Sequence, residues 1–195
     1  MGRLLADRGA QYGQHNRFLE MKVDRFHFMN IVRGEYAVCG KTDIGMTTVL
    51  GSCVAACVWD PIAKIGGMNH FLLPGATENA DANLSHGAFA MEQLINELLR
   101  CGAGRSQLRA KLFGGANVID SSYGIGNANA QFAQSYLLSA GIPIDSTSLG
   151  GDRARRVRFA PRDGAVKIMF VPFAEIDPAE AALHGTAAPK NAKSF

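Results

Sequence analysis

Apolar positions recur along this chain with two periods. Short β-type runs at residues 35–39, 47–50, 108–113, 157–160 and 165–171 predict strands. The last two, separated by Pro161-Arg162-Asp163-Gly164, predict a hairpin. Phe89, Met91, Leu94, Ile95, Leu98 and Leu99 instead follow helical spacing, which predicts a helix over about 86–101, with Ser85 as N-cap and Gly102 just past its end. A second helix is expected over about 127–140, where Phe132, Ala133, Tyr136, Leu137 and Ala140 share a face and Gly141 follows. Strands outnumber helices, so the expected fold class is α/β, with mixed sheet layers and both helices packed on one side.

The flanks lack this order. Residues 1–30 mix charges with Gly, Gln and Asn and read as an N-terminal arm, although Phe18, Phe26 and Phe28 are placed to dock; residues 177–195, rich in Ala, Pro and Lys, read as a mobile tail. The domain proper is expected at 31–176. With 195 residues, 47% hydrophobic and 19% charged, the chain can bury one ordinary core but not two. The longest candidate span, residues 46–59, is interrupted by Gly51, stopped by Asp60-Pro61 and short of the ~20 apolar residues that a bilayer requires. The first residues lack the pattern of a secretion signal, which gives an expected cytoplasmic location and reduced thiols. A net charge of +3 does not argue for nucleic acid or an anionic membrane. Arg153, Arg155, Arg156 and Arg158 fall at both parities without interleaved aromatics, so a solvated strand is expected there.

Residues 47–74 carry the candidate chemistry. Asp60-Pro61 opens a turn, since Asp bonds the backbone ahead of it and Pro presets φ, and apolar β-compatible segments flank it. If Asp60 faces Ala63 across a tight turn, Trp59 faces Lys64 and, continuing outward, Cys53 faces His70. Directly opposed residues have Cβ atoms about 5 Å apart, near enough for a thiol and an imidazole to share a proton. A one-residue slip would send the ring to the other side of the sheet. An imidazolium beside a thiol makes thiolate available as a nucleophile, and the bend at Gly51-Ser52 could aim backbone N–H groups at an oxyanion. A surface cleft is expected around the pair, because a protein-borne substrate must reach it. The same residues are compatible with an inert buried thiol and a core histidine. A metal site using Cys53, Cys57 and His70 is disfavoured, since thiols four residues apart on a strand lie about 13 Å from one another. Neither Gly114-Gly115 nor Gly150-Gly151 has phosphate-loop spacing, and no cofactor is expected.

Taken in order, Leu50-Gly51-Ser52-Cys53, Asp60-Pro61, Gly66-Gly67-Met68, His70-Phe71 with Leu73-Pro74, Lys111 with Phe113-Gly114-Gly115-Ala116, Ile125-Gly126 with Asn129, Gly150-Gly151 and residues 155–159 resemble CheD, the chemoreceptor glutamine deamidase family. The resemblance covers about residues 35–171. It implies an α/β/β layered fold similar to the cytotoxic necrotizing factor deamidases and an activity of protein-glutamine glutaminase type. It implies a triad of Cys53, His70 and Thr47, with Thr48 the adjacent competitor. It also implies chemoreceptors, with their helical cytoplasmic bundle, as substrates, recruitment to receptor arrays, and in some bacteria CheC, a phosphatase, as a partner. A binding module with weak catalysis and an esterase acting on glutamyl methyl esters remain alternatives. Ala128 departs from the family, whose members usually carry a basic residue there.

Overall fold

The computed structural model describes residues 26–73, 80–118 and 124–176. In chain order they form β1 (His27–Asn30), β2 (Tyr36–Cys39), β3 (Ile44–Leu50), β4 (Val54–Asp60), β5 (Ile65–Asn69), α1 (Ala80–Arg100), β6 (Arg109–Gly114), α2 (Ile125–Ser139), β7 (Ile144–Leu149), β8 (Ala154–Ala160) and β9 (Ala165–Val171). Two sheets result, one ordered β1-β3-β8-β9 and the other β2-β5-β4-β6-β7. Each contains one parallel pair, β1 with β3 and β6 with β7, so both are mixed.

Strand alternation on β4 explains the layering. Val54, Ala56 and Val58 face Met91, Leu94 and Leu98 of α1 and Leu137 of α2. Ala55, Cys57 and Trp59 face the other way, against Met46 and Leu50 of β3 and Val157 and Phe159 of β8. Every residue of β4 is buried, as its continuous apolar run requires of a strand covered on both sides. The order is therefore helices, five-stranded sheet, four-stranded sheet: the α/β/β sandwich expected. The β8–β9 hairpin also pairs as expected, with Ala160 opposite Ala165.

Three expectations need correction. The first helix begins at Ala80, so Ser85 lies within it and does not cap it; Ala80 and Ala82 favour helix without extending the apolar stripe, which hides the first turns from a periodicity search. Residues 27–30, assigned to the arm, form β1, and Phe26 is buried against Ala160 and Ala165 with Phe28 packed alongside. β7 was not anticipated, because its largely exposed Asp145, Ser146 and Thr147 give an edge strand little apolar pattern. Phe18, Pro74 and the segments 1–25 and 177–195 lie outside the described residues. Among the described residues no helix is long and apolar enough to cross a membrane.

Candidate active site

The β4–β5 hairpin forms, but its loop is two residues longer than expected. Asp60 pairs with Ile65, Trp59 with Gly66 and Cys57 with Met68. The Asp60 carboxylate accepts the N–H groups of Ile62 (2.7 Å) and Ala63 (2.9 Å), and Lys64 takes a left-handed φ of 58° to close a four-residue loop. A two-residue change in register leaves every side chain on its original face. It does mean that Cys53 and His70 are not directly opposed. Val54 and Phe71 form the bridge between them, each N–H bonded to the other's carbonyl at 2.9 Å. Cys53 lies one residue before that bridge and His70 one residue before it on the facing chain, a diagonal pair within reach of long side chains.

Both side chains belong to the layer between the sheets. Cys53 packs with Ala55, Cys57 and Phe113, and His70 has the parity of Met68 in the same cluster. From the opposing sheet, β3 sends Met46, Thr48 and Leu50 into this layer and turns Thr47 away. Thr48 Oγ1 lies 2.9 Å from His70 Nδ1, whereas the Thr47 hydroxyl donates to the Val157 carbonyl on β8 at 2.9 Å. The threonine that meets the histidine is thus Thr48, the adjacent competitor, while the Thr47 hydroxyl is engaged on β8. The sequence signal that separates them is parity alone: Thr48 alternates in step with the large apolar Met46 and Leu50, and Thr47 does not.

This contact selects the tautomer. The Thr48 hydroxyl has one proton and donates it to the Ile31 carbonyl at 2.7 Å, so it accepts from Nδ1–H. The Ile31 carbonyl also lies 3.3 Å from Nδ1 and can only accept. A proton on Nδ1 leaves Nε2 as the basic nitrogen of the ring.

The bend before Cys53 is fixed by the other sequence motifs. Gly115 N–H donates to the Cys53 carbonyl (2.7 Å) and Ala116 N–H to the Gly51 carbonyl (2.8 Å). Gly114 holds φ 108°, and a side chain there would collide with the Cys53 carbonyl. Asn129, 0% exposed, donates to the carbonyls of Ser52 (3.1 Å) and Ile125 (2.9 Å) and accepts the Leu73 N–H (2.7 Å). It joins α2 to both segments that carry the pair. Arg155, buried, donates to the carbonyls of Ser148 and Gly150, and the Gly150 N–H in turn donates to the Gly114 carbonyl at 3.0 Å. The roles of Asn129 and Arg155 could not be read from spacing, since each acts on residues far away in the chain.

The other cysteines differ from Cys53. Cys57 shares its face, but burial pushes its thiol pKa far up despite the nearby Lys111 ammonium. Lys111 is committed elsewhere, donating to the Gly164 carbonyl at 2.7 Å across the Trp59 ring. Cys101 is exposed beside Glu97, and Cys39 is half-buried.

The expected surface cleft is only partly present. Cys53 is 0% and His70 2% exposed. The connection from β1 to β2, residues 31–35, crosses from one sheet to the other over His70: Gly34 N–H donates to the His70 carbonyl (2.8 Å) and His70 N–H to that of Glu35 (3.0 Å). Two clefts meet at His70. One of about 450 Å³ runs between this connection and α1, past Tyr36, Leu72 and Phe89. Another of about 290 Å³ reaches Thr48 and His70 from beside Arg156 and Glu175.

Residues 72–170 match the family model described as CheD chemotactic sensory transduction, a span that starts just after His70. A probable chemoreceptor glutamine deamidase CheD of Acidiphilium cryptum is 50% identical over 143 residues, covering 71% of this chain and 75% of that one. The protein of the same description from Agrobacterium fabrum is 47% identical over 150 residues, covering 76% and 81%. Among solved structures, the hypothetical protein YfiH of Bacillus licheniformis superposes over 58% of this chain and 50% of its own, with a TM-score of 0.42 and 12% identity.

Proposed function

Since the chain belongs to the CheD family, we propose that it is a chemoreceptor glutamine deamidase in which Cys53 is the nucleophile, His70 the general base and acid, and Thr48 the residue that positions the ring. Its relatives carry the name chemoreceptor glutamine deamidase, which supports the activity and the substrate class. The observation that supports the assignment of roles is the chain Ile31 carbonyl, Thr48 hydroxyl, His70 Nδ1, which leaves Nε2 as the basic nitrogen of the ring.

In this mechanism Nε2 takes the Cys53 proton as sulfur attacks the glutamine carboxamide carbon. Backbone N–H groups of the Gly51-Ser52 bend stabilise the oxyanion of the tetrahedral intermediate. His70 returns the proton to the departing ammonia, leaving a thioester on Cys53. The same nitrogen then removes a proton from water, which attacks the thioester. Glutamate leaves, and the thiol regains its proton. A cytoplasmic setting, at the receptor's helical bundle, follows from this reading. The reaction calls for no metal or cofactor.

Incubation with a receptor cytoplasmic fragment, following ammonia release together with conversion of amide to acid by mass spectrometry, tests the proposal. Conversion that disappears in Cys53→Ala supports it; no conversion across several receptors overturns it. The full burial of Cys53 favours a second reading, a receptor- or CheC-binding module with weak or no catalysis. That reading requires fragment binding without turnover in the wild-type protein.

A further inference from the structure

β1 ends at Asn30, which pairs with Thr47, whereas β3 continues to Leu50. Beyond Asn30 the edge of β3 is no longer covered by β1, and the smaller cleft opens there. Buried Thr48 and His70 form its inner end; Asn30, Val49, Arg156 and Glu175 surround it. Arg156 stands opposite Val49 on β8, and its guanidinium lies 2.8 Å from the Glu175 carboxylate, with side chains 30% and 42% exposed. Glu175 reaches it from the short 3₁₀ turn Phe173–Glu175 that follows β9.

We propose that Arg156 is a specificity residue of this site, reading a carboxylate on the substrate segment beside the target glutamine in the place that Glu175 now occupies. The inference rests on the deamidase reading above and names a chemical feature of its substrate. Four arginines crowd into β8 and the residue before it, and three are otherwise engaged. Arg153 stacks on Phe170 at 4.1 Å, Arg155 holds the Ser148 and Gly150 carbonyls, and Arg158 lies 5.0 Å from the Phe28 ring. Arg156 is the one that borders the cleft reaching His70. A guanidinium matches a carboxylate in shape as well as charge, and a partly exposed ion pair contributes so little to stability that one carboxylate can replace another at small cost.

The two partners of this ion pair should then act in opposite directions. The test compares a receptor fragment carrying acidic residues beside the target glutamine with the same fragment in which those residues are neutral. Rates are separated into kcat and KM, and binding of both fragments is measured by fluorescence anisotropy on a Cys53→Ala background. Arg156→Gln should lower the preference for the acidic fragment about tenfold, expressed in KM and in binding, while Arg156→Lys keeps part of it. Glu175→Gln, by removing the competing carboxylate, should tighten the acidic fragment roughly two- to fivefold. A merely structural ion pair would shift both variants the same way and both fragments equally, and that result overturns the proposal. If wild-type protein turns over neither fragment, the deamidase reading fails, while the binding comparison still decides whether Arg156 reads a carboxylate.

Discussion

Toward the helices, β4 and β6 present Val54, Ala56, Val58, Ala110 and Leu112, a layer closed by Met91, Leu94, Leu98 and Leu137. One residue along, the same strands present Ala55, Cys57, Lys111 and Phe113, and the layer they enter also holds Cys53, Thr48 and His70. The first layer is largely apolar, its buried amides Asn69 and Asn129 bonded mainly to backbone groups, and its main contribution is burial. The second has hydroxyl, imidazole, thiol and ammonium groups, each of which needs a partner when removed from water. Because the side-chain period of a strand is two, stability and chemistry are carried by alternate residues of one backbone, and adjacent positions can have unrelated roles.

The sharpest way to break this comparison is within the second layer, where two thiols share a face. Cys53→Ala should lower the deamidation rate at least about 10⁴-fold, while Cys57→Ala should keep it within roughly threefold and destabilise by about 1–2 kcal/mol. Alkylation followed by peptide mapping adds a check without substrate: Cys53 should react before Cys57, whose thiol burial holds protonated, and its rate should fall in His70→Ala. Comparable activity losses from both alanine variants would show that the layer does not divide as argued.

In the helix-facing layer the expectation is reversed. Leu94→Ala removes a fully buried side chain between α1 and the sheet and should cost about 2–5 kcal/mol in urea unfolding. Its rate per folded molecule should stay near that of the wild type, because Leu94 belongs to the cluster on the opposite side of the five-stranded sheet from the layer that holds Cys53.

Adjacent residues offer the finest version of the comparison. Thr48→Val keeps the shape but removes the acceptor for Nδ1–H, and kcat should fall about 10- to 100-fold, with a changed pH–rate profile as the ring loses its fixed tautomer. Thr47→Val loses only a bond to the Val157 carbonyl on the other face and should stay within about twofold. Equal effects from the two would remove the basis for naming Thr48.

How much of this was legible in the sequence follows from the same alternation. Periodicity locates the helices and most strands because each buries one face, and it places Cys53 and His70 on a common side because only the parity of the loop matters for that. It does not give the register, since Lys64 can occupy a left-handed conformation that its identity does not announce. Thr47 and Thr48 look alike until β3 is seen to send Met46 and Leu50 inward. Asn129 and Arg155 act on carbonyls of Ser52 and Ser148, and no local pattern encodes which distant backbone group a buried amide or guanidinium will meet. The cover over His70 was hidden for a related reason: residues 31–35 have no periodicity, and their place is set by the two strands they connect.

Asp60 supplies the mildest prediction, one that bears on both layers because this residue sets the loop from which their register is counted. Its carboxylate accepts N–H groups from Ile62, Ala63 and, in the connection between α1 and β6, Gly104 (2.8 Å). Burial pushes its pKa up, but the three backbone donors outweigh that, and the net shift is below the usual aspartate range. A carboxylate whose pKa is lower folded than unfolded binds its proton more readily in the unfolded chain. The stability it contributes is therefore present above the unfolded value of about 3.9 and is lost as pH falls through the folded one. Asp60→Asn retains an acceptor for some of these N–H groups and should cost on the order of 1 kcal/mol near neutral pH. Its difference from wild type should begin to shrink as pH falls below about 4, where the Asp60 carboxylate of the unfolded wild-type chain takes up its proton before that of the folded one. Urea unfolding of the two proteins between pH 3 and pH 7 measures it. A difference that stays constant across that range would mean that the turn is held by Pro61 and Lys64, without help from the charge at Asp60.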